Sequence, residues 1–189
     1  ATKGWLPLED DVTADAPSPP PTQKAIFGYG NSGSNSSITN LVNSSGVVAA
    51  NTTGVGTARN SLAAATYGFD KAIFGYGDDG SVSSLTNLVN NSGVVAADVT
   101  GVGTARNTPA ACGYGSDKAI FGYGYSGGYV SLTNLVSNSG VVSADVTGVG
   151  TARSRIAAAT YGGDKGIFGY GQGSNLSMTN LVSNTGVVG

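Results

Sequence analysis

Lys24-Ala25-Ile26-Phe27-Gly28-Tyr29-Gly30 returns at 71–77 and 118–124, and once more as Lys165-Gly166-Ile167-Phe168-Gly169-Tyr170-Gly171. The chain therefore repeats itself every 47 residues. Self-similarity at a period of about 40 to 50 residues points to a propeller, a solenoid or an array, because each unit hides its apolar face only against its neighbours. Working outward from this phrase, the repeat domain spans 24–189, in units of about 24–56, 57–103, 104–150 and 151–189. The 23 residues before it fall outside the pattern.

Composition narrows the functional classes. Only 11% of the 189 residues are charged, against roughly 25% in an ordinary soluble domain, and the net charge is −2. Nucleic-acid binding rests on clustered Lys and Arg, so no nucleic-acid partner is expected. Gly, Ser, Thr and Asn interrupt every apolar stretch well short of the roughly 20 residues that span a bilayer, so no membrane span is expected. One cysteine rules out an intramolecular disulfide framework. Cys112 stands where other units carry Ala65 and Ala159, which reads as a small buried filler.

Within a unit, four strand-length stretches alternate with turn residues. In the unit that starts at Thr57 they are Ser61–Tyr67, Lys71–Tyr76, Val82–Asn90 and Gly93–Val102. β-Branched and aromatic residues populate them, and no helical period is sustained. Gly68-Phe69-Asp70, Gly115-Ser116-Asp117 and Gly162-Gly163-Asp164 predict a tight hairpin between the first two strands, since Gly and Asp tolerate positive φ. In the third strand, Leu88 falls on the polar-looking side, so both faces of the sheet must be covered. Two-sided burial and four strands per unit predict an all-β fold of tandem four-stranded repeats: a four-bladed or incomplete β-propeller, with a solenoid or sandwich array as the rival.

Strand counting adds a prediction about assembly. The first unit enters at its second strand, and the last unit stops early in its fourth. The missing first strand could be supplied by the N-terminal peptide, by a neighbouring subunit, or by a longer array. An unfilled edge offers unpaired backbone groups to another chain.

Ahead of the repeats, residues 1–9 carry an apolar hook, Trp5, Leu6 and Leu8, which reads as a docking peptide. Residues 10–23 form a Pro-rich linker, extended because proline fixes φ and removes donors. Trp5 either tucks against the repeat domain or inserts into another subunit.

The run Arg59-Asn60-Ser61-Leu62-Ala63-Ala64-Ala65-Thr66-Tyr67-Gly68, followed by Ala72-Ile73-Phe74-Gly75-Tyr76-Gly77, resembles the kelch repeat. The resemblance covers 24–189 and implies a four-stranded propeller blade per unit. It differs in having Gly-Tyr-Gly where a glycine pair is usual, and in lacking the later Trp. The near-identical units also resemble repeat proteins of bacteriophages and environmental viruses, which implies a fibre or tail component.

The ionisable residues argue against an enzyme. The chain has no His, and its one Glu is Glu9 in the leader, which removes the Ser-His-Asp and Cys-His nucleophile systems. Arg59, Arg106 and Arg153 recur once per unit, as do Asp98 and Asp145, so they read as structural positions that form Arg–Asp contacts between blades. No catalytic, metal or cofactor site is expected. Asp78 and Asp79 suggest calcium faintly, but their counterparts share no ligand set. The connections after each Gly-Tyr-Gly vary most: Asn31 and Asn35, Asp78 and Asp79, Tyr125 and Tyr129, and Gln172 and Asn175 mark candidate ligand loops, with the two tyrosines suited to stacking on sugar rings.

The expected function is that of a non-enzymatic structural or assembly protein in a virion tail, a fibre or an extracellular filament. It would be anchored through its N-terminal peptide and would associate with itself or a larger particle. The alternative is a lectin-like propeller that binds glycans through the variable loops.

Overall fold

The computed structural model of the chain describes residues 23–173 and 176–189, and it is all-β. The docking and linker assignments at 1–22, including Trp5, Leu6 and Leu8, lie outside the described residues, as does Asn175. The strands form four small antiparallel sheets, one per unit, and none is closed. Among the described residues, the first holds only β1 (Gln23–Asn31) and β2 (Asn35–Asn43). The second orders β3 (Ala63–Tyr67), β4 (Lys71–Asp78) and β5 (Val82–Val89). The third orders β6 (Ala110–Tyr114), β7 (Lys118–Tyr125) and β8 (Tyr129–Val136). In the fourth, β10 (Lys165–Gly169) lies between β9 (Ala157–Tyr161) and β11 (Thr179–Val182).

The fourth stretch of each unit pairs more sparsely than its sequence predicts. In the second unit it touches β5 through two isolated antiparallel bridges, Val89 to Val95 and Thr86 to Val99. The Gly93-Val94-Val95-Ala96-Ala97-Asp98-Val99 segment shifts register between them, leaving Val94 and Val99 exposed. The first strand is also shorter than expected, because Ser61 takes a left-handed φ of 54° and regular pairing begins only at Ala63.

The hairpin turn follows the sequence prediction. Gly68 and Phe69 both carry positive φ, 57° and 69°, as do Gly115 and Ser116 in the next unit. Each turn also ties one unit to the next: the Gly68 N–H donates to the Asp117 carbonyl at 2.7 Å, and Gly115 donates to Asp164 at 2.8 Å.

Consecutive sheets pack face to face, and the middle strand shows why both faces are apolar. Ile73, Phe74 and Tyr76 are all buried in β4, and Ile120, Phe121 and Tyr123 in β7. Such continuous burial requires cover on both sides of the sheet. The tyrosine reaches the next sheet because the strand is irregular at Gly-Tyr-Gly: register slips between Gly75 and Gly77, and Tyr76 adopts φ 64°. Tyr29, Tyr123 and Tyr170 repeat this left-handed conformation at φ 62°, 62° and 60°. A bulky residue there costs roughly 1–3 kcal/mol, which its surroundings must offset.

The core follows the repeat: Phe74, Val89 and Val95 cluster with Ile26 and Tyr29, and equivalent residues form the next two clusters. Among the described residues, no helix is long and apolar enough to cross a membrane.

Candidate functional site: the inter-sheet clamp and the two end faces

Each internal joint is built from a ring, a hole and a cation. Phe74 meets Tyr29 edge-on at 5.1 Å, Phe121 meets Tyr76 at 5.2 Å, and Phe168 meets Tyr123 at 5.2 Å. Glycine makes the hole. A Cβ on Gly28 would lie 2.9 Å from the Phe74 ring, and one on Gly75 or Gly122 would lie 2.7 Å from Phe121 or Phe168. A second contact runs the other way. Leu41 fills the space over Gly93, Leu88 over Gly140 and Leu135 over Gly186. This is what half-buries the leucine on the polar-looking side of the third strand.

Over each tyrosine lies an arginine from the following unit. The guanidinium carbons of Arg59, Arg106 and Arg153 stand 4.6, 3.9 and 4.2 Å from the ring centroids of Tyr29, Tyr76 and Tyr123. All three arginines are fully buried. Their donors are used locally, the buried Nε of Arg106 excepted: Arg59 Nη2 donates to Asn87 Oδ1 at 2.6 Å, Nη1 to the Thr57 carbonyl at 3.1 Å, and Nε to the Tyr76 carbonyl at 2.9 Å. Arg106 repeats the bonds of Nη2 and Nη1 through Asn134 and Thr104, and Arg153 repeats all three. Buried charge is tolerable when its donors are used in this way, and a cation over a desolvated ring adds attraction.

Asp98 completes the clamp from within the same joint. Its carboxylate accepts from the Thr57 hydroxyl at 2.7 Å, the Thr57 N–H at 2.9 Å and Asn87 Nδ2 at 2.9 Å, and it lies 3.7 Å from Arg59 Nη1. Its arginine is thus the one 39 residues upstream, rather than Arg106 eight residues downstream, so this Arg–Asp contact lies within one unit and not between two as the sequence predicts. Burial alone would raise the Asp98 carboxyl, but the bonds from Thr57 and Asn87, with Arg59 beyond, together hold it below the usual carboxylate value. Asp145 is treated alike by burial, Thr104, Asn134 and Arg106. Burial pushes the Tyr76 hydroxyl up to about 12 and lowers Arg106, which stays charged.

The asparagines of this clamp escaped sequence reasoning. Asn87 and Asn134 are fully buried, and the signal for them was an Asn at the same place in every unit: Asn40, Asn87, Asn134 and Asn180.

The variable loops lie along one edge of the stack and are bonded mainly by Asn60, Asn107 and Ser154, the residues that follow the clamp arginines. Asn35 Nδ2 donates to the Asp78 carbonyl at 3.1 Å, and Asn107 Nδ2 to Asp78 Oδ2 at 3.0 Å, so these loops connect successive units. Asn31 and Asp79 fold their own turns, accepting from Gly33 and Ser81. Tyr125 and Tyr129 are both exposed, with ring centroids 5.7 Å apart and planes at 76°. Gln172 is bridged to Ser154. Burial pushes the Cys112 thiol up to about 11.

The joints leave two unfilled faces. At the head, Phe27 is 62% exposed, whereas Phe74, Phe121 and Phe168 are 3% or less. Gly46, the counterpart of Gly93, has open space where a Cβ would stand. At the tail, Tyr170 is 62% and Leu181 51% exposed, while Tyr76 and Tyr123 are fully buried. A Cβ on Gly169 would meet only Thr179 within 4 Å. The head presents the ring and lacks the leucine, and the tail presents the leucine and lacks the ring. No family model matches this chain, and no curated protein matches it.

Proposed function

We propose that the chain is a non-enzymatic structural protein whose copies stack end to end into a filament, as a component of a virion tail, a fibre or an extracellular fibril. One observation carries this reading: the head and tail faces are the two halves of the joint that already recurs inside the chain. Phe27 stands ready for Gly169 and Tyr170 of a second copy, and Leu181 for Gly46. A contact between two different faces is heterologous and builds open assemblies when its rotation does not close.

A four-bladed, kelch-like ring would use the same faces within one chain. The exposure of both Phe27 and Tyr170 supports the open stack. The joint between copies would lack one part. No arginine stands 47 residues before Arg59, where Val12 is found, so Tyr170 would gain the ring but not the cation. Association between copies should therefore be weaker than the joints within them.

Sedimentation of the full chain against Phe27→Asp tests the reading. The wild type should show mass rising with concentration, and the variant should need at least tenfold more protein to reach the same mass. Identical distributions would reject end-to-end stacking. Glycan binding rests on the exposed Tyr125 and Tyr129 pair. An array on which Tyr125→Ala binds as the wild type does would remove it.

A further inference from the structure

Among the described residues, β1 has a partner on one side only, whereas β4, β7 and β10 are each paired on both. Beside its free edge runs an apolar groove of about 410 Å³, lined by Ala25, Ile26, Leu41, Ala64, Ala65 and Thr66 among others. In the later units the same place is taken by Ala63–Tyr67, Ala110–Tyr114 and Ala157–Tyr161. Their packing defines what the groove lacks. Tyr67 lies against Leu88 and Gly140, and Tyr114 against Leu135 and Gly186. At the first sheet, Leu41 and Gly93 meet with no tyrosine among their nearest neighbours. The groove is therefore a strand-sized site with a free hydrogen-bonding edge and an aromatic slot, the arrangement by which an extended peptide augments a sheet.

The residues just before β1 do not suit it. In repeat register, Ala16–Pro20 would fall in the groove, placing Pro20 where the internal strands carry tyrosine. Proline offers neither a ring for the slot nor an N–H for the edge. Farther upstream, Ala1-Thr2-Lys3-Gly4-Trp5 matches Ala110-Ala111-Cys112-Gly113-Tyr114 in its Ala, its Gly and its closing aromatic. Internally, the Gly113 N–H donates to Thr160 Oγ1 at 2.9 Å, and Thr66, the counterpart of Thr160, lines the groove.

Linker length lets a leader reach the groove of another copy. Within a unit, three residues join the first strand to the second, but 17 residues, Leu6 to Thr22, separate Trp5 from β1. A Pro-rich segment of that length reaches roughly 50 Å, and four sheets stacked at about 10 Å span roughly 40 Å. We propose that Ala1–Trp5 of one copy adds as the missing strand beside β1 of a second copy, with Trp5 in the slot formed by Leu41 and Gly93. This rests on the end-to-end stack, which sets the distance that the linker must cover.

The pairing of β3 with β4 places Thr66 opposite Ala72, so a donated strand would bring Gly4 opposite Ala25. Full-length chains carrying Gly4→Cys and Ala25→Cys, both with Cys112→Ala, are mixed and oxidised gently. The expected result is a disulfide-linked heterodimer, formed at least tenfold faster than with Ala14→Cys in place of Gly4→Cys. The double variant should give a ladder of linked chains on a non-reducing gel. A single band of internally linked monomer would assign the leader to its own groove and overturn the exchange. No selective disulfide would overturn the strand addition itself. If sedimentation still shows mass dependent on Phe27 in either case, the stack stands and only this inference falls; if it does not, the stack falls whatever the leader does.

Discussion

The tip of the Phe121 ring lies 2.7 Å from the point where a Cβ would stand on Gly75, one unit upstream. The ring and the glycine therefore specify one another across the joint. Gly75→Val should displace the ring and lower the melting temperature, and Phe121→Ala, which leaves a cavity between two sheets, should cost about 3–5 kcal/mol. Thermal or denaturant unfolding checks both. Wild-type stability in either variant would mean that the joint is not held by this contact.

Arg106 lies closer to its ring than Arg59 or Arg153, 3.9 Å above Tyr76, and is bonded to Asn134 and Thr104. Arg106→Met removes a buried partner from each and should destabilise the chain by about 2–4 kcal/mol. Arg106→Lys should also destabilise, because an ammonium cannot bond in two planar directions while lying flat on the ring. Equal midpoints for wild type and Met variant would show that the clamp contributes nothing.

Asp98 and Asp145 predict the response to acid. Their carboxyls are held below 3.8 when folded, so the unfolded chain takes up protons first as the pH falls. Their stabilisation is fully present above the unfolded value and is lost as pH drops through the lower folded value. The melting temperature should be nearly flat from pH 5 to 8 on their account and fall below about pH 4. Asp145→Asn should reduce that acid slope, and an unchanged slope would remove Asp145 from the clamp.

Cys112 is buried, with its thiol pushed up to about 11. At pH 7 a maleimide should label it only after denaturation, because the thiolate is the nucleophile. Cys112→Ala should fold normally, since Ala65 and Ala159 hold the same place. Rapid labelling of the native chain would contradict the packing.

Much of this was legible in the repeat itself. The Gly-Asp turns marked the hairpins, and Leu88 on the wrong side of its strand required a second covered face. Its target, Gly140, could not be read, because a glycine filled by a leucine 52 residues away looks like any turn glycine. The Arg–Asp pairing shows the same limit. Asp98 stands nearer to Arg106 in sequence, but the folding of its own unit, 57–103, brings Arg59 to it through Asn87. The fourth strand read as regular from its valines, yet its register slips by one residue between the Val95 and Val99 bridges to β5, which breaks the ladder. The end faces were readable only as a strand count, since the exposure of Phe27 and Tyr170 depends on which neighbour each one lacks.

Gly46 and Leu181 report on whether the two end faces meet, because no joint inside the chain uses either of them. In a Cys112→Ala background, Gly46→Cys with Leu181→Cys should oxidise to a ladder of linked chains, and a mixture of the two single variants should give a heterodimer. An internally linked monomer would mean that the sheets close into a ring. Failure to link at all would mean that the two faces never meet.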